Sequence, residues 1–376
     1  MDFQALSGLI IAVAGYLVVE IILSVWKDVP AKFGQQVFGA VRRQWKERVY
    51  LRGILRDPRF AQWKSEAQRY VALRAIKAQK SGGASAPQPL LDLLHDHLKR
   101  REAVLVLGDP GAGKTTAMEA LTYQLARTAY RRSTFVWFAW LGVAALLLLW
   151  SPLAALIWLG GGLVVISRAR LWVTPFFLEL HRFFKPEARD FLAAAVKEAA
   201  GDEALLGAKG RCLFLLDGVN EIHREHAAQF LGTWPQQNPP LAFFTSRTGD
   251  KPALEVPAVE ACELDDEGVK AFMGVYLRER QEKEKAGGER VEVEPDFAEL
   301  SRKGLLAERG VGRNPYWLRM LVLSGLRTRN RGALFLSFAR ELLRREIEVK
   351  PEERKRKPDW AAVPLEAEMD ALAELA

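Results

Sequence analysis

The chain has 376 residues, 27% of them charged and 49% hydrophobic, which fits one large domain or two to three smaller ones and excludes wholesale disorder. Two cysteines, Cys212 and Cys262, exclude a disulfide-stapled scaffold and fit reduced, buried thiols. The formal charge of +8 is modest, its basic residues gather beside apolar segments, and no nucleic-acid-binding motif accompanies them, so anionic lipid is the expected surface partner.

Ala5–Trp26 contains one charge, Glu20, in 22 residues. As a helix it reaches about 33 Å, enough to cross a ~30 Å hydrocarbon core. Asp2 precedes it and basic residues (Lys27, Lys32, Arg42, Arg43) follow, the reverse of a secretory signal peptide. The same asymmetry predicts a transmembrane helix over 1–26 with the rest of the chain in the cytoplasm. Residues 27–66, rich in Arg, Lys and Trp, read as juxtamembrane helices. SGGASAPQP (81–89) reads as a flexible connection between an early strand and a helix.

AVLVLGDPGAGKTTAMEAL (103–121) carries the strongest signal. An apolar strand runs into a match to G-x-x-x-x-G-K-[ST], and a helix-forming segment follows. Glycines there let backbone N–H groups curl around phosphate oxygens, helped by the helix dipole. The predicted phosphate-contacting residues are Gly108, Asp109, Pro110, Gly111, Ala112, Gly113, Lys114, Thr115 and Thr116. Lys114 is expected to reach the β- and γ-phosphates of ATP, and the Thr115 hydroxyl to ligate Mg²⁺.

Residues 135–166 then hold no charged side chain, interrupted by Ser151-Pro152. Pro152 lacks a backbone donor and disfavours helix at Ser151, so a turn is cheap there. Each arm, 135–150 and 153–166, spans about 21–24 Å as a helix, which fits two short crossings or a re-entrant hairpin. Basic flanks (Arg127, Arg131, Arg132; Arg168, Arg170) put both ends in the cytoplasm. Lys114 and Asp217 are 103 positions apart; without residues 133–172 the separation is 63, ordinary for one strand, one helix and their connections. The apolar stretch is therefore expected as an insertion at an exposed helix-to-strand connection.

VTPFFLEL (173–180) reads as the next strand. RCLFLLDGVNEI (211–222) reads as a buried parallel strand delivering Asp217 to its C-terminal edge, where ligands bind in open α/β sheets. Asp217 is expected to hold Mg²⁺ through water, and Glu221 to orient an attacking water. LAFFTSRTGD (241–250) is a third apolar strand ending in Thr245-Ser246-Arg247, and Arg247 is placed to meet a γ-phosphate. His95, His97, His223 and His226 read as surface or structural histidines, and KPEERKRKP (350–358) as a solvated linker.

GDPGAGKTT, LLDGVNE and FFTSR, in that order, resemble the NACHT family of STAND-class signalling NTPases, as do RYVALRA (69–75), VTPFFLEL and RNPYWLRML (313–321). The resemblance covers residues 40–376. It implies an α/β fold with a P-loop NTPase parallel sheet and flanking helices over 67–260 and a helical lid over 261–350; spacing and charge set the membrane hairpin, 133–172, within that NTPase domain. It also implies that Lys114, Asp217, Glu221 and Arg247 are catalytic, that Thr115 and Asp217 hold Mg²⁺, and that Pro315 packs near adenine. Self-association and a trigger ligand follow from the same likeness. Residues 351–376 then form a linker and a segment, PLEAEMDALAELA, that resembles the first helix of a winged-helix continuation. The family commonly has D-G-x-D-E, whereas this chain has Asn220 before Glu221, which leaves ATP binding intact and puts hydrolysis in question. KAP-type P-loop NTPases, which also carry membrane helices within the NTPase domain, are the alternative, although their acidic motif has two adjacent acids where this chain has Asp217-Gly218. The expected function is a membrane-anchored ATPase switch; the alternative is a nucleotide-holding scaffold with little turnover.

Overall fold

A computed structural model describes residues 31–61, 63, 73–78, 86–151, 158, 172–183, 191–201, 205, 212–222, 231, 241–252, 254–285, 297–302 and 311–323. The expected transmembrane helix at 5–26, the second apolar arm apart from Trp158, His223, His226 and residues 351–376 lie outside the described residues.

The fold is a mixed α/β architecture on a seven-stranded, mostly parallel sheet. Its strands are β1 (Arg74–Ala78), β2 (Gln88–Pro89), β3 (Val104–Leu107), β4 (Thr174–Glu179), β5 (Cys212–Asp217), β6 (Leu241–Ser246) and β7 (Ala258–Ala261), in the order β2-β1-β7-β3-β6-β5-β4. β3 pairs in parallel with β6, Val104 opposite Phe243 through Leu107 opposite Ser246, and in parallel with β7 on its other side. All four residues of β3 are buried, as are Cys212–Leu216 and Ala242–Ser246. Continuous apolar runs of this kind belong to strands covered on both faces. β1 pairs antiparallel with β7 and with the two-residue β2, where Pro89, lacking an N–H donor, sits at the sheet's margin. The early strand thus begins at Arg74, near the end of RYVALRA, and extends to Ala78.

The described helices are α1 (Ala31–Arg56), α2 (Pro58–Ala61), α3 (Leu90–Arg100), α4 (Lys114–Trp150), α5 (Leu180–Phe183), α6 (Phe191–Ala200), α7 (Asp266–Lys285), α8 (Phe297–Arg302) and α9 (Pro315–Leu323). α4 is the longest at 37 residues. At 1.5 Å per residue it extends about 55 Å. No break separates residue 133 from the helix before it, so the apolar stretch begins inside a helix and not in a connecting loop. α4 stops at Trp150, with the Ser151 N–H bonded to Leu147 O at 2.7 Å, which is where the Ser-Pro pair predicts a turn. Among the described residues this is the one helix long and apolar enough to cross a membrane, with a mean hydropathy of 1.2 and 17% of its most apolar window buried. Trp140 Nε1 donates to Trp158 O at 3.3 Å and Trp158 Nε1 donates to Trp140 O at 3.2 Å, so the chain folds back on itself beyond the turn.

Two compact units share the chain. The first contains α1, α2, α4 from Leu121 onward, β4, α5, α6 and β5 to Leu216. Its centre is an aromatic column in which Tyr50 stacks on Phe176 at 5.0 Å and Phe176 on Phe214 at 5.3 Å. α1 and α2 are held along β4 by a ladder of polar contacts. Trp172 Nε1 donates to Glu47 Oε1 at 2.9 Å, the Thr174 hydroxyl donates to the same oxygen, Tyr50 OH donates to Pro175 O at 3.1 Å, and Arg59 pairs with Glu179 at 2.6 Å. Those donors satisfy the buried Glu47 carboxylate, which would otherwise be costly to remove from water.

The second unit contains β1, β2, α3, β3, the start of α4, residues 217–222, β6 from Phe243, β7, α7, α8 and α9. α3 buries Leu90, Leu91, Leu93 and Leu94, closes with Arg101 in the left-handed region, and holds His97 against Glu102 at 3.1 Å; His95 bonds to Leu91 O. Both histidines are therefore structural. Arg74 pairs with Asp265 at 2.8 Å. Arg313 bonds to Leu264 O and Asp266, joining the α7 entry to the turn before α9.

Candidate functional site

The Gly108–Gly113 loop joins buried β3 to α4, and its shape depends on two glycines in the left-handed region, Gly111 (φ +79°) and Gly113 (φ +84°). A Cβ on Gly111 would stand 2.5 Å from Tyr316 Cβ, and one on Gly113 would stand 2.6 Å from Leu73 Cδ1. Gly111 therefore needs glycine for conformation and for space, whereas at Gly113 the near atom is a Leu73 methyl that can shift, and conformation is what calls for glycine. Inside the loop the Ala112 N–H bonds to Asp109 O at 3.1 Å. α4 begins at once with Lys114, and the Ala117 N–H bonds to Gly113 O at 2.9 Å, so the N–H groups of Lys114, Thr115 and Thr116 are the ones without helical partners. Such an array favours an oxyanion.

Lys114 Nζ donates to Gly108 O at 2.6 Å and to Asp109 O at 2.9 Å. Burial lowers the pKa of the ammonium below its ordinary value; the carboxylates of Asp217 and Asp109 oppose that shift, Arg247 adds to it, and Glu221 opposes it. The lysine therefore feels four of the charged side chains singled out in the sequence. It is a cation held by carbonyl dipoles, so an anion at the loop would relieve its desolvation.

Asp217 ends β5 on a side chain fixed from two directions. Thr115 Oγ1 donates to Asp217 Oδ2 at 2.8 Å, and Thr245 Oγ1 donates to Asp217 Oδ1 at 2.5 Å. Thr245 Oγ1 also accepts the Gly218 N–H at 2.9 Å, so one buried hydroxyl sets both the carboxylate and the following backbone. Gly218 (φ +81°) turns the chain into the short 3₁₀ segment Val219–Glu221, where the Glu221 N–H bonds to Gly218 O at 2.9 Å. A Cβ on Gly218 would lie 2.9 Å from Glu221 Oε2, so glycine lets that carboxylate fold over the turn. Asn220 is half-exposed on the same turn, and Arg247 is exposed on extended backbone just past β6.

The Asn-Pro segment reaches the loop from 204 positions away in the chain. Asn314 Nδ2 donates to Pro110 O at 3.0 Å, and the Tyr316 N–H bonds to Gly111 O at 3.3 Å and to Asn314 Oδ1 at 3.0 Å. Pro315 is buried as the first residue of α9, where its fixed φ and missing donor suit a helix start. Lys114, Thr115, Asp217, Glu221 and Arg247 thus converge, and the segment carrying Pro315 closes one side of the loop. Asp109 and Pro110 are exposed loop residues, Ala112 is buried beneath, and Thr116 is exposed on the first turn of α4.

Three contributors were not singled out as site residues in the sequence: Thr245, Asn314 and Tyr316. Thr245 carries a signal, a lone hydroxyl in the apolar run LAFFTS at the end facing Asp217. Asn314 and Tyr316 carry none beyond their neighbour Pro315. Among the described residues no group of three or more His, Cys, Asp or Glu side chains gathers as a metal cage. The Thr115 hydroxyl and Asp217 carboxylate are hard oxygen donors, few in number. That set suits Mg²⁺, which keeps most of its waters and is shared with phosphate, better than a metal needing a full protein shell. Comparison with protein-family models and with curated proteins returned no match.

Proposed function

We propose that the chain is a membrane-anchored, ATP-binding P-loop NTPase of NACHT type, acting as a nucleotide-dependent switch that self-associates at the membrane. The observation that carries this reading is the 2.8 Å bond from Thr115 to Asp217 beside a loop with two glycines in the left-handed region. A hydroxyl at the start of α4 and a carboxylate at the end of β5 are the two oxygens a nucleotide-bound Mg²⁺ needs. Bound Mg²⁺ neutralises phosphate charge; the protein's own groups do the rest. Backbone N–H groups of Gly111–Thr115 bind phosphate oxygens, and Lys114 exchanges its bonds to Gly108 O and Asp109 O for phosphate. Thr245 keeps Asp217 oriented, Glu221 positions a water, and Arg247 offers a cation to the terminal phosphate. Asn314 and Pro315 hold the loop from the side expected to face adenine. The long apolar end of α4 and the indole pairing beyond it support the membrane hairpin.

The test uses the purified full chain with Mg-ATP. Lys114→Ala is expected to abolish binding. Glu221→Gln is expected to keep binding and lower turnover by about 10²-fold or more, the usual scale for losing a proton-handling group. Asn220, in place of a second acid on the Val219–Glu221 turn, favours one other reading, a scaffold that holds nucleotide without turning it over. Tight binding by the parent with no phosphate release would establish that reading, and no binding at all would refute both.

A further inference from the structure

α1 and α4 meet in the first unit through Arg48. Its Nη2 donates to Thr134 Oγ1 at 3.2 Å, and its guanidinium lies 5.5 Å from the centroid of the Tyr130 ring. The contacts of Glu47 with Trp172 and Thr174, Tyr50 with Pro175, and Arg59 with Glu179 advance together, so α1 runs in the same sense as β4. Rotated by about 100° per residue from the Arg48–Thr134 contact, the buried residues of α1 (Gln44, Glu47, Leu51) and of α4 (Ala126, Ala129, Ser133) fall on the same rotational flank, which two helices lying side by side on one core show when they run in opposite senses.

At roughly 100° per residue, Trp45 and Arg42 leave α1 on one flank of the Arg48 contact. Arg131, Phe135 and Phe138, spaced i, i+4, i+7, leave α4 on one flank of Thr134. Opposed helices wind in opposite senses when viewed from one end, so these two flanks fall on the same side of the pair. Every residue of the set is exposed: Trp45 by 67%, Phe135 by 73%, Phe138 by 71%, with Arg42 and Arg131 also in solvent. All five lie within about 9 Å of the Arg48 contact along their helix axes. Three large rings in water beside two guanidinium groups are poorly explained as a solvated face.

We propose that this flank, Arg42 and Trp45 of α1 with Arg131, Phe135 and Phe138 of α4, is a belt that binds anionic phospholipid headgroups. The guanidinium groups meet the phosphate layer and the rings lie at the boundary of the acyl chains, the depth that amphipathic aromatics prefer. Charge complementarity and continuity with the exposed apolar face of α4 (Leu141, Leu146) single out lipid as the occupant. The proposal rests on the membrane reading above and adds a lipid preference to it.

The test titrates the full chain, in a neutral maltoside detergent at low salt, with dioctanoyl-phosphatidylglycerol and separately with dioctanoyl-phosphatidylcholine, counting bound lipid by native mass spectrometry. Each arginine near an anionic headgroup is worth about fivefold, so the anionic lipid is expected to bind roughly 25-fold more tightly. High salt shrinks that ratio. Arg42→Gln with Arg131→Gln brings it near one, whereas Lys at both positions preserves it. Trp45→Ala weakens both lipids by the same factor. A ratio near one in the parent, as expected if an acidic protein occupies this face, overturns the proposal, as does a ratio unmoved by the paired Gln changes. Flotation with pure phosphatidylcholine vesicles after carbonate washing reports on the membrane reading separately: a chain that floats but shows no lipid preference loses the belt alone, and one that stays in the aqueous phase loses both.

Discussion

Thr245→Val removes a single hydroxyl that serves two groups, and its effect follows from the geometry. The bond to Asp217 Oδ1 at 2.5 Å is charge-assisted, a class that contributes about 1.5–3 kcal/mol. The Gly218 N–H, bonded to the same oxygen at 2.9 Å and buried, is left without a partner at a further cost of about 1–3 kcal/mol. Asp217 is half-exposed and can take water in exchange, which puts the sum toward the lower end, at about 3 kcal/mol. Thr245→Ser keeps the hydroxyl and deletes one buried methyl, at about 1 kcal/mol. For a domain of this size about 3 kcal/mol corresponds to a fall in Tm of roughly 6–12 °C, against roughly 2–4 °C for Ser. Thermal unfolding followed by tryptophan fluorescence, with circular dichroism on the same samples, measures both. If Val and Ser melt together, the hydroxyl is not what holds the Asp217–Gly218 corner, and the reasoning fails.

Gly113→Ala meets a φ of +84° and a Leu73 methyl 2.6 Å away, so it should lower stability by about 1–2 kcal/mol for the backbone alone. Gly249→Ala, with nothing within 4 Å, should melt within a degree of the parent, and equal melting of the two variants would remove the conformational argument. Tyr50 has its pKa raised, chiefly by burial and then by the charge of Cys212. A raised folded-state pKa contributes stability that is whole below the unfolded phenol value, about pH 10, and is lost as the pH climbs beyond it. Tyr50→Phe should therefore lose about 1 kcal/mol at neutral pH with the bond to Pro175 O, and show a shallower alkaline decline; parallel curves for parent and variant above pH 10 would contradict this.

Elements defined by local chemistry were legible in the sequence. β5 and β6 are apolar runs cut off by a polar residue, and a parallel sheet buried on both faces leaves just that trace. The loop at 108–113 was legible because two of its glycines stand where the backbone is left-handed, and the end of α4 because Ser151-Pro152 opposes helix. What could not be read depends on partners distant in the chain. Nothing around Asn314 points to Pro110, and nothing in QWKERVY distinguishes Glu47, buried under Trp172 and Thr174, from the half-buried Lys46 and Arg48 beside it. The continuity of α4 through residue 133 was hidden for another reason: Arg131, Arg132, Ser133 and Thr134 read as a polar border between two segments. In the fold the Ser133 and Thr134 hydroxyls both bond back to Tyr130 O, which lets them sit within the helix.

The reciprocal indole bonds between Trp140 and Trp158 have a consequence for how these two residues can part. Each tryptophan donates to the other's main-chain oxygen, so parting the two strips a donor and an acceptor from both at once. In apolar surroundings, where no solvent replaces them, neither bond can be surrendered alone at a modest cost. The two bonds together form a reciprocal clasp that fixes Trp158 beside Trp140.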